Sequence, residues 1–510
     1  MPRDTGFAFT PSAARSTFVL PPFLAKRTPV RAPLPTARSC VAGKSGERFD
    51  LIIIGSGPGG YVAAIRAAQL GLRVACVEDE KLGGVCLNTG CIPTKALLTS
   101  ALLVNEMREG ERHGIMAKDV TFDLGPAQER SQRVVDQMNK GVGHLFKKNK
   151  VTHFEGFGRL KGKGKVEVEG RDGNKAVYEA DHVIIATGSR PRDLPGMPFD
   201  EDRVWSSTGA LLRTRAPESL FIVGAGAICM EFADVYASYG SKVTVIEALD
   251  RILPLEDAEI SKFMERTYKK RGMDIHTSAR FESAEIGDDG IRVTFQDAKG
   301  ETHTLDVENA LSAVGRVANS EDLGLESAGV EVDERGFIRI DERMRTNVPG
   351  IYAIGDVAGR QLLAHKASHE GIACVEHIAG QGHGTVDYGN VPNCTYCHPE
   401  VASVGLTEAQ AKENGLDIEV GKFPWVGIGR AVAAGHTDGF IKVIRDKRYS
   451  EILGAHIVGP HATELIAEFV VGRHLESTVE EMEKAMHPHP TLSEGIAEGS
   501  LSALGRPIHI

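Results

Sequence analysis

The chain repeats one pattern of apolar and polar positions twice. Each copy has an apolar run, a glycine-rich turn, a helix-forming stretch and a second apolar run closed by an acid. The first is Phe49-Asp-Leu-Ile-Ile-Ile-Gly-Ser-Gly-Pro-Gly-Gly60, then an alanine-rich stretch to Gly71, then Arg73 to Val77 and Glu78. The second is Leu220-Phe-Ile-Val-Gly-Ala-Gly-Ala-Ile-Cys-Met-Glu231, then a stretch to Gly240, then Lys242 to Ile246 and Glu247. Continuous apolar runs of this length read as strands buried on both faces, and the stretches between them as helices. Each acid lies 23 residues beyond the first glycine of its turn. Between the copies the pattern predicts helix over about 95–150 and alternating strands over about 151–185. Val183 to Pro191 and Asn309 to Arg316 each read as a strand entering a turn. Thr346 to Asp356 is a buried strand with an acid at its carboxyl end, where ligands of open α/β sheets bind. The tail mixes strands (439–444, 451–458) with helices (about 461–473 and 478–485).

A strand feeding a glycine turn that opens a helix is a dinucleotide-binding unit. The glycines let backbone approach a pyrophosphate, and the helix N-terminus supplies N–H donors and positive potential. Candidate contacts are Gly55, Gly57, Gly59, Gly60 and Glu78 in the first unit, and Gly224, Gly226 and Glu247 in the second. The acids would accept hydrogen bonds from ribose hydroxyls. Glu247 would repel a 2′-phosphate, which favours NAD over NADP. Cys229 stands where the third glycine of the second unit belongs, so the local helix–strand packing there is in question.

Composition narrows the class. With 510 residues, two to four domains are expected. The net charge of −10 argues against a nucleic-acid surface, and no apolar stretch reaches membrane-span length. Residues 1–46 carry seven Lys or Arg against one acid, and seven prolines. That basic, acid-poor leader reads as an organelle transit peptide. Its prolines work against an amphipathic helix and favour a plastid over a mitochondrion. Among eight cysteines, Cys76, Cys229 and Cys374 sit singly in apolar sequence and read as small buried hydrophobes.

Gly83-Gly-Val-Cys-Leu-Asn-Thr-Gly-Cys-Ile-Pro-Thr-Lys95 places Cys86 and Cys91 five residues apart, directly after the first unit. Such a pair can close a small, readily reduced disulfide ring within reach of a cofactor bound there. Gly-Gly-x-Cys-(x)4-Cys-x-Pro-x-Lys after a dinucleotide fold resembles the disulfide reductase family of flavoproteins. The likeness spans about residues 49–506, and the run from Cys86 to Leu98 resembles the lipoamide branch. The resemblance implies FAD in the first unit and NAD in the second. It implies that Cys91 faces the flavin and Cys86 exchanges with substrate. Lys95 would lie beside the reactive end of the flavin, with Glu231 as its carboxylate partner. Thr187, Gly188, Asp356 and Ala364 match positions around FAD, and Gly315 one near NAD.

Met486-His-Pro-His-Pro-Thr-Leu-Ser-Glu494 supplies a base. Exchange needs a thiolate, while an ordinary thiol is mostly protonated at neutral pH. A histidine oriented by a carboxylate can take that proton. The segment resembles the family's His-x-His-Pro-Thr-x-x-Glu, which assigns the base to His489 and its partner to Glu494, supplied by the second subunit of a homodimer. His487 reads as structural. Cys394-Thr-Tyr-Cys-His398 is open to zinc or a thiol switch, but no second ligand pair exists and packing is favoured.

The expected fold is α/β: two Rossmann-like dinucleotide-binding domains, for FAD and NAD, plus a C-terminal α+β dimerisation domain. The expected limits are 47–195 and 319–388 for FAD binding, 196–318 for NAD binding and 389–510 for dimerisation. The expected reaction is oxidation of protein-bound dihydrolipoamide by NAD+ through FAD and the Cys86–Cys91 disulfide. The expected partners are lipoyl domains of a 2-oxo-acid dehydrogenase or glycine cleavage complex. Alternatives are a glutathione-type reductase, opposed by Glu247, and a mercuric-type reductase, opposed by a C-terminus without an extra cysteine pair. From another class comes a structural subunit of such a complex, opposed by the intact Cys86, Cys91 and His489 set.

Overall fold

The computed structural model describes residues 45–382 and 384–510. The expected transit peptide lies outside them except for its last two residues, as does Cys40. No described helix is long and apolar enough to cross a membrane.

The first apolar run forms the strand Arg48–Ile54 at the centre of a seven-stranded sheet. Parallel neighbours are Val74–Glu78 on one side and Lys175–Ile185 on the other. Leu51 and Ile53 face the alanine side of the helix Pro58–Gln69 (Ala63, Ala64, Ala67). Phe49, Ile52 and Ile54 face the opposite core with Phe154 and Tyr178. Both faces are therefore buried, as the unbroken apolar pattern requires. Cys76 and Cys374 lie in the alanine-side core, completely buried.

The second run forms the strand Ser219–Val223 at the centre of an all-parallel sheet with Lys242–Ile246, Asp274–His276, Asn309–Ser312 and Val204–Trp205. A three-stranded antiparallel meander (Arg280–Ile286, Ile291–Gln296, Thr302–Val307) packs beside it. The chain then returns: Ile351–Ala353 pairs with Lys175–Ile185 and restores the first sheet. A two-stranded ribbon, Ser189–Pro191 against Arg316–Ala318, joins the two sheets at the points of exit and return. The tail forms an antiparallel five-stranded sheet covered by the helices Ala462–His474, Val479–Lys484 and Glu494–Ala503. The fold is the expected α/β arrangement with an α+β tail.

Cys229 is accommodated. In the first unit a Cβ at Gly60 would lie 2.0 Å from the Gly55 carbonyl oxygen. In the second unit the thiol is fully buried, with its sulfur 3.6 Å from the Val223 carbonyl oxygen and 3.8 Å from that of Ala313. The thiol is a weak donor to these two carbonyls.

Candidate functional site

Both glycine turns are built alike. Gly55 and Gly224 adopt φ +100° and +99°, which only glycine does without strain. Glu78 accepts from the Ser56 N–H and hydroxyl (2.9 and 2.6 Å), and Glu247 from the Ala225 N–H (2.6 Å). Each acid thus ties the turn to the neighbouring strand while its carboxylate remains at the strand's end. Burial pushes the Glu78 carboxyl above its ordinary range. The helices that follow start at Gly57 and Gly226, neither end capped by a side chain, and a Cβ at either glycine would meet nothing within 4 Å. Open space, bare glycine backbone and unspent N–H donors fit a pyrophosphate at both turns.

The cysteine segment is clamped onto the first turn. Gly83 donates its N–H to the Ser56 carbonyl (3.1 Å), and a Cβ at Gly84 would stand 2.7 Å from the Gly57 Cα. Cys86 lies in the short helix Gly84–Asn88, and Cys91 opens the helix Cys91–Arg108. Both are partly exposed free thiols here. The Cys86 thiol hydrogen-bonds Cys91, and with the Lys95 charge this brings the Cys91 pKa down to about 7. The same bond raises that of Cys86. The lysine charge thus favours the thiolate at Cys91.

Lys95, one turn beyond Cys91, places Nζ 2.9 Å from each carboxylate oxygen of Glu231. Glu231 belongs to the helix Ala227–Ser238 of the second unit and is nearly fully buried. It also accepts the Tyr396 N–H (2.9 Å) from the C-terminal domain, and the Lys95 ammonium rides 4.3 Å over the Tyr396 ring. Three domains meet at this ion pair. The motif around Cys394 and Cys397 is accounted for by Tyr396 between them. Cys397 is buried in the second-unit core and Cys394 packs on the C-terminal one. Burial raises both thiols, Cys394 to about 12, so neither supplies a thiolate.

Asp356 accepts from the Ser189 hydroxyl (2.5 Å), which in turn accepts from Arg316 Nε (2.6 Å). Thr187 donates to the Asn319 carbonyl (2.6 Å), Gly188 adopts φ +73°, and Gly315 adopts φ +128° with open space at its Cβ. Ala364 begins the helix Ala364–Ile378, whose N-terminus has no side-chain cap. The sequence reading missed Ser189 and Arg316. It also missed Lys366, a fully buried lysine that donates to the Gly355 and Gly359 carbonyls and to Glu370 (each 3.1 Å), bracing the Asp356 turn. A Lys–Glu pair at i, i+4 directly after the Asp356 turn was the available signal.

His489 Nδ1 stands 2.8 Å from Glu494, whose other oxygen accepts the Thr491 N–H (2.9 Å). This fixes the imidazole and leaves Nε2 free. The side chain is 77% exposed, and among the described residues no group of the first two domains bonds to it. The histidine is thus oriented outward from its own subunit. His487 is buried against Glu468 (2.6 Å), which raises its pKa.

Two dinucleotide turns, a dithiol clamped on the first and a lysine reaching the second define a flavin- and nicotinamide-dependent disulfide oxidoreductase. The chain belongs to the pyridine nucleotide-disulphide oxidoreductase family: its model matches residues 49–371, and the family's dimerisation domain matches 391–499. Its cofactors are FAD and NAD. The chain is 45% identical over 464 residues to a dihydrolipoyl dehydrogenase of Zymomonas mobilis (91% of this chain, 99% of the relative). It is 43% identical to a mitochondrial dihydrolipoyl dehydrogenase of Arabidopsis thaliana (92% and 93%). The crystal structure of LpdA from Mycobacterium tuberculosis superposes with TM-score 0.83 at 28% identity, covering 89% of this chain and 99% of that one.

Proposed function

We propose that this protein is a dihydrolipoyl dehydrogenase, acting as a homodimer on dihydrolipoyl groups carried by the lipoyl domains of a 2-oxo-acid dehydrogenase or glycine cleavage complex. Gly55, Gly57, Gly59, Gly60, Glu78, Thr187, Gly188, Asp356 and Ala364 would hold FAD. Gly224, Gly226, Glu247 and Gly315 would hold NAD. We assign residues 47–195 and 319–388 to the FAD domain, 196–318 to the NAD domain and 389–510 to the dimerisation domain.

His489 of one subunit takes a proton from a substrate thiol bound at the other, and Glu494 stabilises the imidazolium that results. The substrate thiolate attacks Cys86 Sγ of the oxidised pair. The Cys86–Cys91 bond breaks, and Cys91 leaves as a thiolate stabilised by Lys95. The second substrate thiol attacks the substrate sulfur of the mixed disulfide and displaces Cys86. His489 gives its proton to the departing Cys86 and takes that of the attacking thiol, so one proton stays on His489 and balances the Cys91 thiolate. The products are the lipoyl disulfide and a reduced cysteine pair. FAD held at the Gly55–Gly60 turn, beside Cys91, would supply the route for that electron pair to NAD+ held at the Gly224–Gly226 turn. Lys95, held by Glu231, keeps positive charge beside the thiolate.

The dithiol clamped on the first glycine turn, one helical turn from the Lys95–Glu231 ion pair, is the observation that carries this reading: the lysine charge favours the Cys91 thiolate, which makes it a good leaving group. Relatives named mitochondrial support an organelle. We assign it to the plastid, on the proline-rich basic leader. The test is turnover of dihydrolipoamide with NAD+ beside that of glutathione disulfide with NADPH. Turnover of the second pair alone would overturn the substrate assignment.

A further inference from the structure

A cleft of about 340 Å³ opens between the turn 333–340 and the segment 358–362 that follows the Asp356 turn. Three arginines line it: Arg335, Arg339 and Arg360. Among the described residues, none has a carboxylate within ion-pair distance. The one acid in the lining, Asp333, spends an oxygen on the N–H groups of Arg335 and Phe337 (2.9 Å each). Three guanidinium groups without an ion-pair partner thus surround one concavity.

Two of the three are held in place by rings. Arg335 lies 5.3 Å over Phe337, and Arg360 lies 3.9 Å over Tyr388. Arg360 is also fixed in left-handed backbone (φ +59°), a conformation a non-glycine residue rarely keeps. Guanidinium forks match phosphate oxygens in pairs. Ala358 and Leu362 add apolar lining to the cleft.

We propose that this cleft binds a small phosphorylated metabolite, up to the size of a mononucleotide. The phosphates would sit on Arg335, Arg339 and Arg360. The volume lies at the low end for small-molecule sites, which excludes a second whole dinucleotide.

The test uses the FAD-loaded dimer saturated with NAD+, so that both dinucleotide turns are filled. Pyrophosphate, ADP and sulfate are titrated separately by calorimetry. One saturable site per chain for pyrophosphate or ADP is expected, weakening as salt rises. Replacing all three arginines by alanine should weaken it roughly tenfold or more, with FAD content reporting an intact fold. Absence of saturable binding at millimolar ligand, binding unchanged in the triple variant, or sulfate binding as tightly as pyrophosphate would each overturn the proposal.

Discussion

Replacing Lys95 by methionine tests the electrostatics of the dithiol most directly. Lys95 lies four residues beyond Cys91 on one helix, so the side chains are neighbours about 6 Å apart. At an effective dielectric of about 20, a unit charge at that distance is worth roughly 3 kcal/mol, or about two pKa units. Lys95 is a third exposed, so solvent screening reduces this to about one to two. The sign follows from the charges: the cation favours thiolate, and its loss leaves Glu231 to oppose it. Cys91 should therefore rise from about 7 to roughly 8–9. The thiolate fraction at pH 7 would then fall from one half to roughly 1–10%. The assay is ultraviolet thiolate titration in a Cys86→Ser background, where the serine hydroxyl still donates to Cys91. Lys95→Arg should restore the low value, and adding Glu231→Gln to Lys95→Met should recover part of it. An unchanged Cys91 titration in Lys95→Met would refute the reasoning.

His489→Gln should lower dihydrolipoamide turnover by about 10²–10⁴-fold while leaving FAD content and dimer mass unchanged, as judged by steady-state kinetics and light scattering. A loss under fivefold would remove His489 from the proton transfer. Gly57→Ala should fold normally yet retain less FAD, because its Cβ meets only open space where a pyrophosphate would lie. Gly60→Ala should lose stability as well, its Cβ being 2.0 Å from the Gly55 oxygen. Equal melting temperatures for both apoproteins would contradict the contrast. Lys442 is buried with its ammonium 2.9 Å from Asp257, 2.9 Å from Glu259 and 2.6 Å from Glu408. Lys442→Met strands the buried Asp257, while Glu259 keeps Lys422 and Glu408 keeps Lys412, and should cost about 3–5 kcal/mol, read as a shift of the urea midpoint. A shift worth under 1 kcal/mol would mean that water has taken the lysine's place.

Much of the site was legible because its local rules are strict. A glycine turn at Gly55 or Gly224 and an acid 23 residues on are spacings fixed by one strand, one helix and one further strand. The cysteine pair and the His489–Glu494 pair are likewise short-range. The meander over 280–307, the helix Ala258–Lys270 and the strand Ile418–Pro424 did not stand out. Arg280–Ile286 is mostly exposed, so it carries little apolar periodicity to read.

The contacts that join the domains were equally hidden, for a common physical reason. Glu231 with the Tyr396 N–H, Lys442 with Asp257, and Arg271 and Asp234 with the His398 backbone are polar groups meeting across long stretches of chain. Burying such a group unpaired is costly, so each fixes one relative position of two domains, where an apolar face would tolerate several. The Lys95–Glu231 pair is the case with chemical consequence. It sets the second domain against the helix that Cys91 opens, and it gives that cysteine part of its acidity. A charge pair that serves domain alignment and thiolate stability together explains why the dithiol sits where three domains meet, although nothing in the local spacing of Cys86 and Cys91 requires it.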